Sequence, residues 1–161
     1  MDKLIDTIAT AIRLGGTAPG LAELELAYAP PFSSAKDPVN LAGYQAENVI
    51  AGLTTPLLYA ELPSELALGA KLVDVRTPQE FASGHLAEAV NLPLDSLREN
   101  LAELDRAVPL VVYCKIGLRG YLAERILKQH GFMVKNLQGG YTSARTEDFQ
   151  PTAEAAPSMG G

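Results

Sequence analysis

Apolar positions along the chain fall into two regimes. Between residues 3 and 14, Leu4, Ile5, Ile8 and Ile12 recur at helical spacing, and Gly15-Gly16 stops the run. The stretch from Leu21 to Tyr28 alternates in a way that fits helix and strand about equally. Ala29 to Pro38 is a turn-rich connector carrying Pro30-Pro31 and Pro38. From Pro38 a further helix is expected to about Gly52, with Val39, Tyr44, Ile50 and Leu53 among its apolar residues. These stripes have no evident partner within residues 1–52, and three short pieces over about fifty residues are marginal alone.

Beyond that segment the pattern changes. Short apolar runs near 57–60, 71–75, 89–92, 109–113 and 133–136 predict strands, and helical spacing is expected near 63–68, 78–82, 94–104 and 119–130. Such alternation predicts an α/β unit over 53–150: a five-stranded parallel sheet with helices on both faces. The tail over 151–161 is poor in bulky apolar residues and is expected to be disordered.

Composition narrows the class. The chain has 161 residues, room for one ordinary domain and an appendage, and 47% of them are hydrophobic. Its net charge of −6 argues against a nucleic-acid partner. No apolar run approaches the length of a membrane span, and Met1-Asp2-Lys3-Leu4 is not the basic start of a secretory signal. A single cysteine allows no internal disulfide, so a cytoplasmic location is expected.

That cysteine carries the candidate chemistry. Cys114 follows the apolar run Pro109-Leu110-Val111-Val112-Tyr113 and precedes a helical stretch from Leu118 to His130, stopped by Gly131. It thus sits where a strand hands over to a helix, beyond the carboxyl end of a parallel sheet, where such folds place ligands. A thiol is a nucleophile as thiolate, a form favoured at a helix N-terminus or beside a cation. Arg119 supplies the cation, and Gly117 and Gly120 are expected to let the backbone curl so that successive amides converge as an anion-binding nest. The alternative for a lone cysteine after a buried strand is a packed core thiol.

Flanking motifs give this loop a context. Lys71-Leu72-Val73-Asp74-Val75-Arg76 precedes it, as does Gly84-His85-Leu86-Ala87-Glu88-Ala89-Val90-Asn91-Leu92-Pro93; Val134-Lys135-Asn136-Leu137-Gln138-Gly139-Gly140-Tyr141 follows. Together with Cys-x-x-Gly-x-Arg at 114–119, these stretches resemble the signatures of rhodaneses, in the same order, over about residues 57–146. Cysteine phosphatases resemble the loop less, since their Cys-x5-Arg is one residue longer. The resemblance implies a rhodanese-like fold and a sulfurtransferase that carries a persulfide on Cys114. Residues 115–119 (Lys115, Ile116, Gly117, Leu118 and Arg119) would then bind the substrate. It implies a small sulfur donor such as thiosulfate, a persulfide or a polysulfide, and a thiol acceptor from outside, since no second cysteine can resolve the persulfide.

A second likeness covers the N-terminal segment. Leu24-Glu25-Leu26-Ala27-Tyr28-Ala29-Pro30-Pro31-Phe32, continuing to Tyr44, resembles the C-terminal end of coenzyme A-disulfide reductases, pyridine nucleotide-disulfide oxidoreductases that sometimes carry a rhodanese domain. That resemblance implies a partial dimerisation segment over 1–52, with a homodimer or a reductase as partner. It implies for Tyr28 a place near a partner's redox cysteine, against the plainer role of an interface aromatic. The chain has no Gly-x-Gly-x-x-Gly fingerprint, so no flavin, nicotinamide or other cofactor is expected. The alternative function is accordingly that of a reductase fragment serving as docking, dimerisation or sulfur-carrier module.

Remaining polar residues divide by spacing. Arg76 and Glu80, four apart, are expected to form an ion pair. Asp74 could accept amides of the cysteine loop or cap its own turn. His85 reads as a loop histidine bonded to backbone and His130 as a helix C-terminal residue. Lys115, on the loop's rim, could attract an anionic donor or stand as a solvated lysine. Two unclustered histidines and one cysteine predict no metal site.

Overall fold

The computed structural model describes residues 2–27 and 36–144. Tyr28, most of the proline-rich connector and the C-terminal tail lie outside the described residues. The chain divides into two units, Met1–Leu53 and Thr54–Gly161.

The first unit holds α1 (Asp2–Arg13), α2 (Ala18–Ala22) and α3 (Pro38–Ile50). Two of them start as elementary capping predicts: the hydroxyl of Thr17 accepts from Gly20, and the carboxylate of Asp37 accepts from Val39. Leu24 to Ala27 follow α2 as irregular chain, so neither helix nor strand continues there. The reason is Asn40 of α3: its buried Nδ2 donates to the carbonyls of Leu21, Ala22 and Leu24, which replaces helical bonding at that end. Gly43 allows the contact, because a Cβ there would fall on the Ala22 backbone. The predicted stripe of α1 divides, with Leu4 and Ile8 half-buried and Ile5 and Ile12 exposed.

The second unit holds β1 (Pro56–Leu57), α4 (Leu62–Ala67), β2 (Lys71–Asp74), α5 (Pro78–Ala82), β3 (Val90–Asn91), β4 (Leu110–Tyr113), α6 (Leu118–Gln129), β5 (Val134–Leu137) and α7 (Gly140–Ala144). Its strands form one five-stranded parallel sheet in the order β1-β5-β4-β2-β3, the α/β architecture expected. The period of two along a strand divides the core. Val73, Leu110, Val112, Cys114 and Val134 face Ala123, Ile126 and Leu127 of α6. Leu72, Val111, Tyr113 and Leu137 face Leu62 of α4 and Ala144 of α7.

Two expected elements are corrected. The strand expected over 57–60 ends at Leu57, because Tyr59 enters a 3₁₀ turn (Tyr59–Glu61) and its hydroxyl donates to the Gly140 carbonyl at 2.6 Å. The helix expected over 94–104 is two 3₁₀ turns, Leu94–Ser96 and Leu101–Glu103. Leu94, Leu97, Leu101 and Leu104 still reach the core, but Ser96 and Asn100 between them are poor helix formers. α7, absent from the sequence-based expectations, follows the Gly139-Gly140 turn.

Helix α6 is fixed along its length by a buried carboxylate. Glu124, fully buried, accepts from the hydroxyl of Thr54, from the Thr55 amide at 2.5 Å and from Lys128 at 2.9 Å. A carboxylate so placed must be paired and hydrogen-bonded to be tolerated.

Candidate active site

Alternation along β4 decides where the thiol goes. Leu110 and Val112 face α6, so Cys114, two residues further, points into the same layer and is only 2% exposed. The residue is therefore packed with the core while its main chain opens the loop. The next residues turn outward, with Lys115, Ile116 and Leu118 exposed and Arg119 half-buried.

The loop is held by its carbonyls. The Tyr141 amide of α7 donates to the Cys114 carbonyl at 2.8 Å, and the amide and hydroxyl of Thr142 donate to that of Lys115 at 3.0 and 2.9 Å. The Gly117 carbonyl accepts from the Tyr121 amide at 2.9 Å and from Asn136 Nδ2 at 3.4 Å. In a trans peptide the N–H points opposite to the preceding C=O, and there is no cis bond among the described residues. The amides of Lys115 and Ile116 consequently point away from α7. Those of Leu118, Arg119 and Gly120 are unbonded first-turn donors of α6, whose N-cap Gly117 offers no side chain. Among the described residues, none of these amides is taken up by a protein acceptor. The result is a run of free donors in the residues that follow Cys114, at the positive end of a 12-residue helix.

Gly120 and Gly140 make this arrangement possible. A Cβ on Gly120 would fall on Asn136 Oδ1, and one on Gly140, whose φ is +54°, would fall on the Cys114 carbonyl and the Lys115 backbone. Gly117 differs from expectation. Its φ of 164° is extended and the space around it is open, so the need for glycine lies at Gly120.

Arg119 does not stand free beside the sulfur. It forms a bidentate pair with Glu80 of α5, both N···O distances being 2.7 Å. Hydrogen bonds to Glu80 raise the Arg119 pKa above its ordinary value against opposing burial, and the charges of Glu80 and Cys114 and a hydrogen bond to Cys114 add to the rise. Glu80 in turn is brought down to about 2, first by hydrogen bonds from Arg119, with the Thr77 amide adding and burial opposing. The expected Arg76–Glu80 pair is thus replaced. Thr77 and Glu80 close a capping box at the start of α5, which leaves Arg76 outside that helix.

Arg76 turns to Asp74 instead. Its Nη2 lies 2.6 Å from Asp74 Oδ2 and donates to the Gly84 carbonyl at 2.8 Å, with both charged side chains buried. Burial opposes the charge of Arg76, but the hydrogen bonds and charge of Asp74 hold its pKa above the ordinary value. Asp74 also accepts from the Arg76 amide, so it caps its own turn and does not hold the cysteine loop. The Arg76 guanidinium lies 4.2 Å from the centre of the Tyr141 ring and 5.8 Å from that of Tyr113. The Tyr113 hydroxyl accepts from the Leu86 amide, and burial pushes its pKa well above the ordinary tyrosine value. Three motifs distant in sequence, Asp-Val-Arg, Gly-His-Leu and Gly-Gly-Tyr, thus meet on one guanidinium.

The histidines sit as expected. His85 Nδ1 meets the Phe81 carbonyl at 3.1 Å and its ring stacks on Phe81; His130 Nδ1 meets the Ile126 carbonyl at 2.8 Å. Among the described residues no group of three or more His, Cys, Asp or Glu could hold a metal ion, and no helix is long and apolar enough to cross a membrane. Sequence reading missed Glu80 as partner of the loop arginine, Asn136 beneath the loop, and Tyr141 and Thr142 as its anchors.

A parallel α/β sheet with a cysteine between a central strand and the free N-terminus of a helix defines a class, and comparison with known proteins gives the family. The family model of the rhodanese-like domain matches residues 58–147, and the chain belongs to that family. A thiosulfate sulfurtransferase GlpE from Pseudomonas syringae is 39% identical over 87 residues, 53% of this chain and 82% of that protein. The crystal structure of reduced CoADR-RHD from Bacillus anthracis is 44% identical, with a TM-score of 0.81, over 87% of this chain and 25% of that one. An NAD-dependent persulfide reductase from A. fulgidus is 42% identical, with a TM-score of 0.72, over 86% of this chain and 24% of that one. The chain spans 65% and 58% of the curated relatives it matches in Allochromatium vinosum and Bacillus subtilis, and about a quarter of these two structures.

Proposed function

We propose that this chain is a sulfurtransferase that carries a persulfide on Cys114. The observation that carries the reading is the loop held by its carbonyls, with the amides of Lys115, Ile116, Leu118, Arg119 and Gly120, which follow the cysteine, free of protein acceptors among the described residues. The Cys114 thiolate attacks the sulfane sulfur of the donor. A new S–S bond forms, the donor's sulfur bond breaks, and the leaving group (sulfite from thiosulfate, a thiolate from a persulfide) takes the electron pair. The outer sulfur then rests against donors that need no reorganisation, while Ile116 and Leu118 form an apolar rim around it. An external thiolate attacks that sulfur and releases Cys114. Lys115 is the charge on the rim not committed to a described partner, and it draws in anionic donors. Relatives bearing the names sulfurtransferase and thiosulfate sulfurtransferase support the class, and the likeness to a persulfide reductase supports the sulfane chemistry.

The test is intact-mass measurement after exposure to thiosulfate. The protein is expected to gain the mass of one sulfur atom and to lose it on addition of cyanide or a thiol, whereas Cys114→Ser gains none. Full thiosulfate:cyanide activity in the serine variant would remove Cys114 from the mechanism.

A second reading concerns association. The likeness to the two reductases runs over most of this chain, and the first unit exposes Ile5, Ile12, Leu14 and Ile50. That unit fits a dimerisation or reductase-docking role, with the rhodanese-like unit as sulfur carrier. Size-exclusion of residues 1–161 against 54–161 tests it: association confined to the longer chain supports the reading, and two monomers would remove it.

A further inference from the structure

Asn136 is a polar residue where the sheet would ordinarily take an apolar one. It stands in β5 between Val112 of β4 and Pro56 of β1, and it is 3% exposed. One end of its carboxamide donates to the Gly117 carbonyl at 3.4 Å. The other end, Oδ1, is buried with no hydrogen-bond partner and occupies the place a Cβ on Gly120 would take. An orphaned buried acceptor is destabilising, and a leucine, which has the same branched skeleton, would avoid it. Packing alone therefore argues against an asparagine here.

What the asparagine supplies is a second donor on the Gly117 carbonyl, alongside the Tyr121 amide. Gly117 is the N-cap of α6 and has no side chain of its own to fix the turn. Its carbonyl and the Leu118 amide share one peptide plane, so a donor on the first sets the direction of the second. Asn136 also packs beneath Gly120, the last of the free first-turn amides. The carboxamide thus spans the first turn of α6, from Gly117 to Gly120.

We propose that Asn136 is a positioning residue for the chemistry of Cys114. It holds the α6 amides in their aim through Gly117 and touches neither donor nor sulfur. The proposal rests on Cys114 as sulfur carrier. Oriented donors act on the transition state when their geometry is preset, so loosening them slows the chemical step more than it weakens donor binding.

Asn136→Leu separates positioning from packing. It keeps the branched skeleton, with bulkier methyl ends, and removes the orphaned oxygen, so the variant is expected to fold and to melt near the parent's temperature. Its single-turnover persulfidation by thiosulfate, followed by intact mass, is expected to slow at saturation by roughly tenfold or more. Half-saturating thiosulfate should stay within about twofold of the parent. Alkylation of Cys114 by iodoacetamide is expected to slow in parallel. Asn136→Ala serves if the leucine variant does not fold, with Val134→Ala as control, a buried residue of the same strand and core layer. Both then lose stability, and only the Asn136 variant loses reactivity. Parental saturating and alkylation rates in a folded Asn136→Leu, or equal rates in the two alanine variants, would overturn the proposal. If the parent itself takes no sulfur from any donor, the sulfur-carrier reading fails instead, and the alkylation comparison still decides the role of Asn136.

Discussion

Glu80 and Arg119 are 39 residues apart and meet in a two-pronged pair, with Nη1 to Oε2 and Nη2 to Oε1 both at 2.7 Å. The same carboxylate closes the capping box of α5 by accepting from the amide of Thr77. One side chain therefore fastens the first turn of α6 to the first turn of α5, and the loop cation is held in place by protein groups alone.

Glu80→Gln keeps the shape and weakens that pair. Each partner is about one-third exposed, so the expected loss of stability is small, about 1 kcal/mol or less by the usual worth of half-exposed pairs. The effect on chemistry is expected to be larger, with sulfur transfer down roughly tenfold because Arg119 is no longer oriented. Urea unfolding and cyanide-coupled turnover of the same preparation check the two figures against each other.

Acid should reproduce the weakening. The Glu80 carboxyl titrates near 2 in the folded chain against an ordinary value of 4.5. A depressed carboxylate contributes stability that is full above 4.5 and is lost as pH falls toward 2. Arg119, raised by the same contact, stays charged throughout. The difference in unfolding free energy between the parent and Glu80→Gln is therefore expected to shrink over that window and to be constant above it. A difference that does not change down to pH 2 would contradict the assignment.

Much of this was legible in the chain, though not these contacts. The strand-forming runs gave the parallel sheet, and the loop between Tyr113 and Leu118 was placed correctly because a buried run, a cysteine and a helical stretch adjoin in sequence. Arg76 and Glu80 misled because a spacing of four looks like a helical pair. The helix begins at Pro78 with Thr77 as its cap, which leaves Arg76 in the bend before it, within reach of Asp74. Asn136 and Thr142 were illegible for another reason. Each acts on a loop 19 to 27 residues away, and nothing local distinguishes a β-strand asparagine that grips a distant carbonyl from one that does not. Short α7 gave no periodic signal, since five residues hold too little repeat to read.

Asp74→Ala is expected to be far more damaging than Glu80→Gln. It leaves the Arg76 guanidinium, 3% exposed, without its carboxylate. Breaking one side of a buried pair costs about 3–5 kcal/mol. Thermal unfolding followed by circular dichroism should show a large fall in midpoint or an unfolded protein. A midpoint close to the parent's would mean that Gly84 and Tyr141 suffice to hold the charge.

Gly140→Ala tests the anchor behind the loop. Its added methyl would meet main-chain atoms of Cys114 and Lys115, which have no rotamer to escape into, at a residue whose φ is +54°. Persulfidation at saturating thiosulfate is expected to fall by roughly a hundredfold, the scale seen when reacting groups are misplaced by about 1 Å. Far-ultraviolet circular dichroism should stay close to the parent's, because the sheet is untouched. Unaltered persulfidation would show that α7 can move without disturbing the cysteine.

The clamp on the loop consists of two amides and a hydroxyl from Tyr141 and Thr142, in a five-residue helix that packs on the sheet through Ala144. A splice or nick ahead of Gly139 would spare the thiol, all five strands and the Glu80–Arg119 tie, yet free the peptide planes that steer the amides. On the proposed function, competence for sulfur transfer would then be separable from possession of the cysteine. A relative that keeps Cys-x-x-Gly-x-Arg but lacks a helix behind it should be read as a folded scaffold until its loop is shown to be braced some other way.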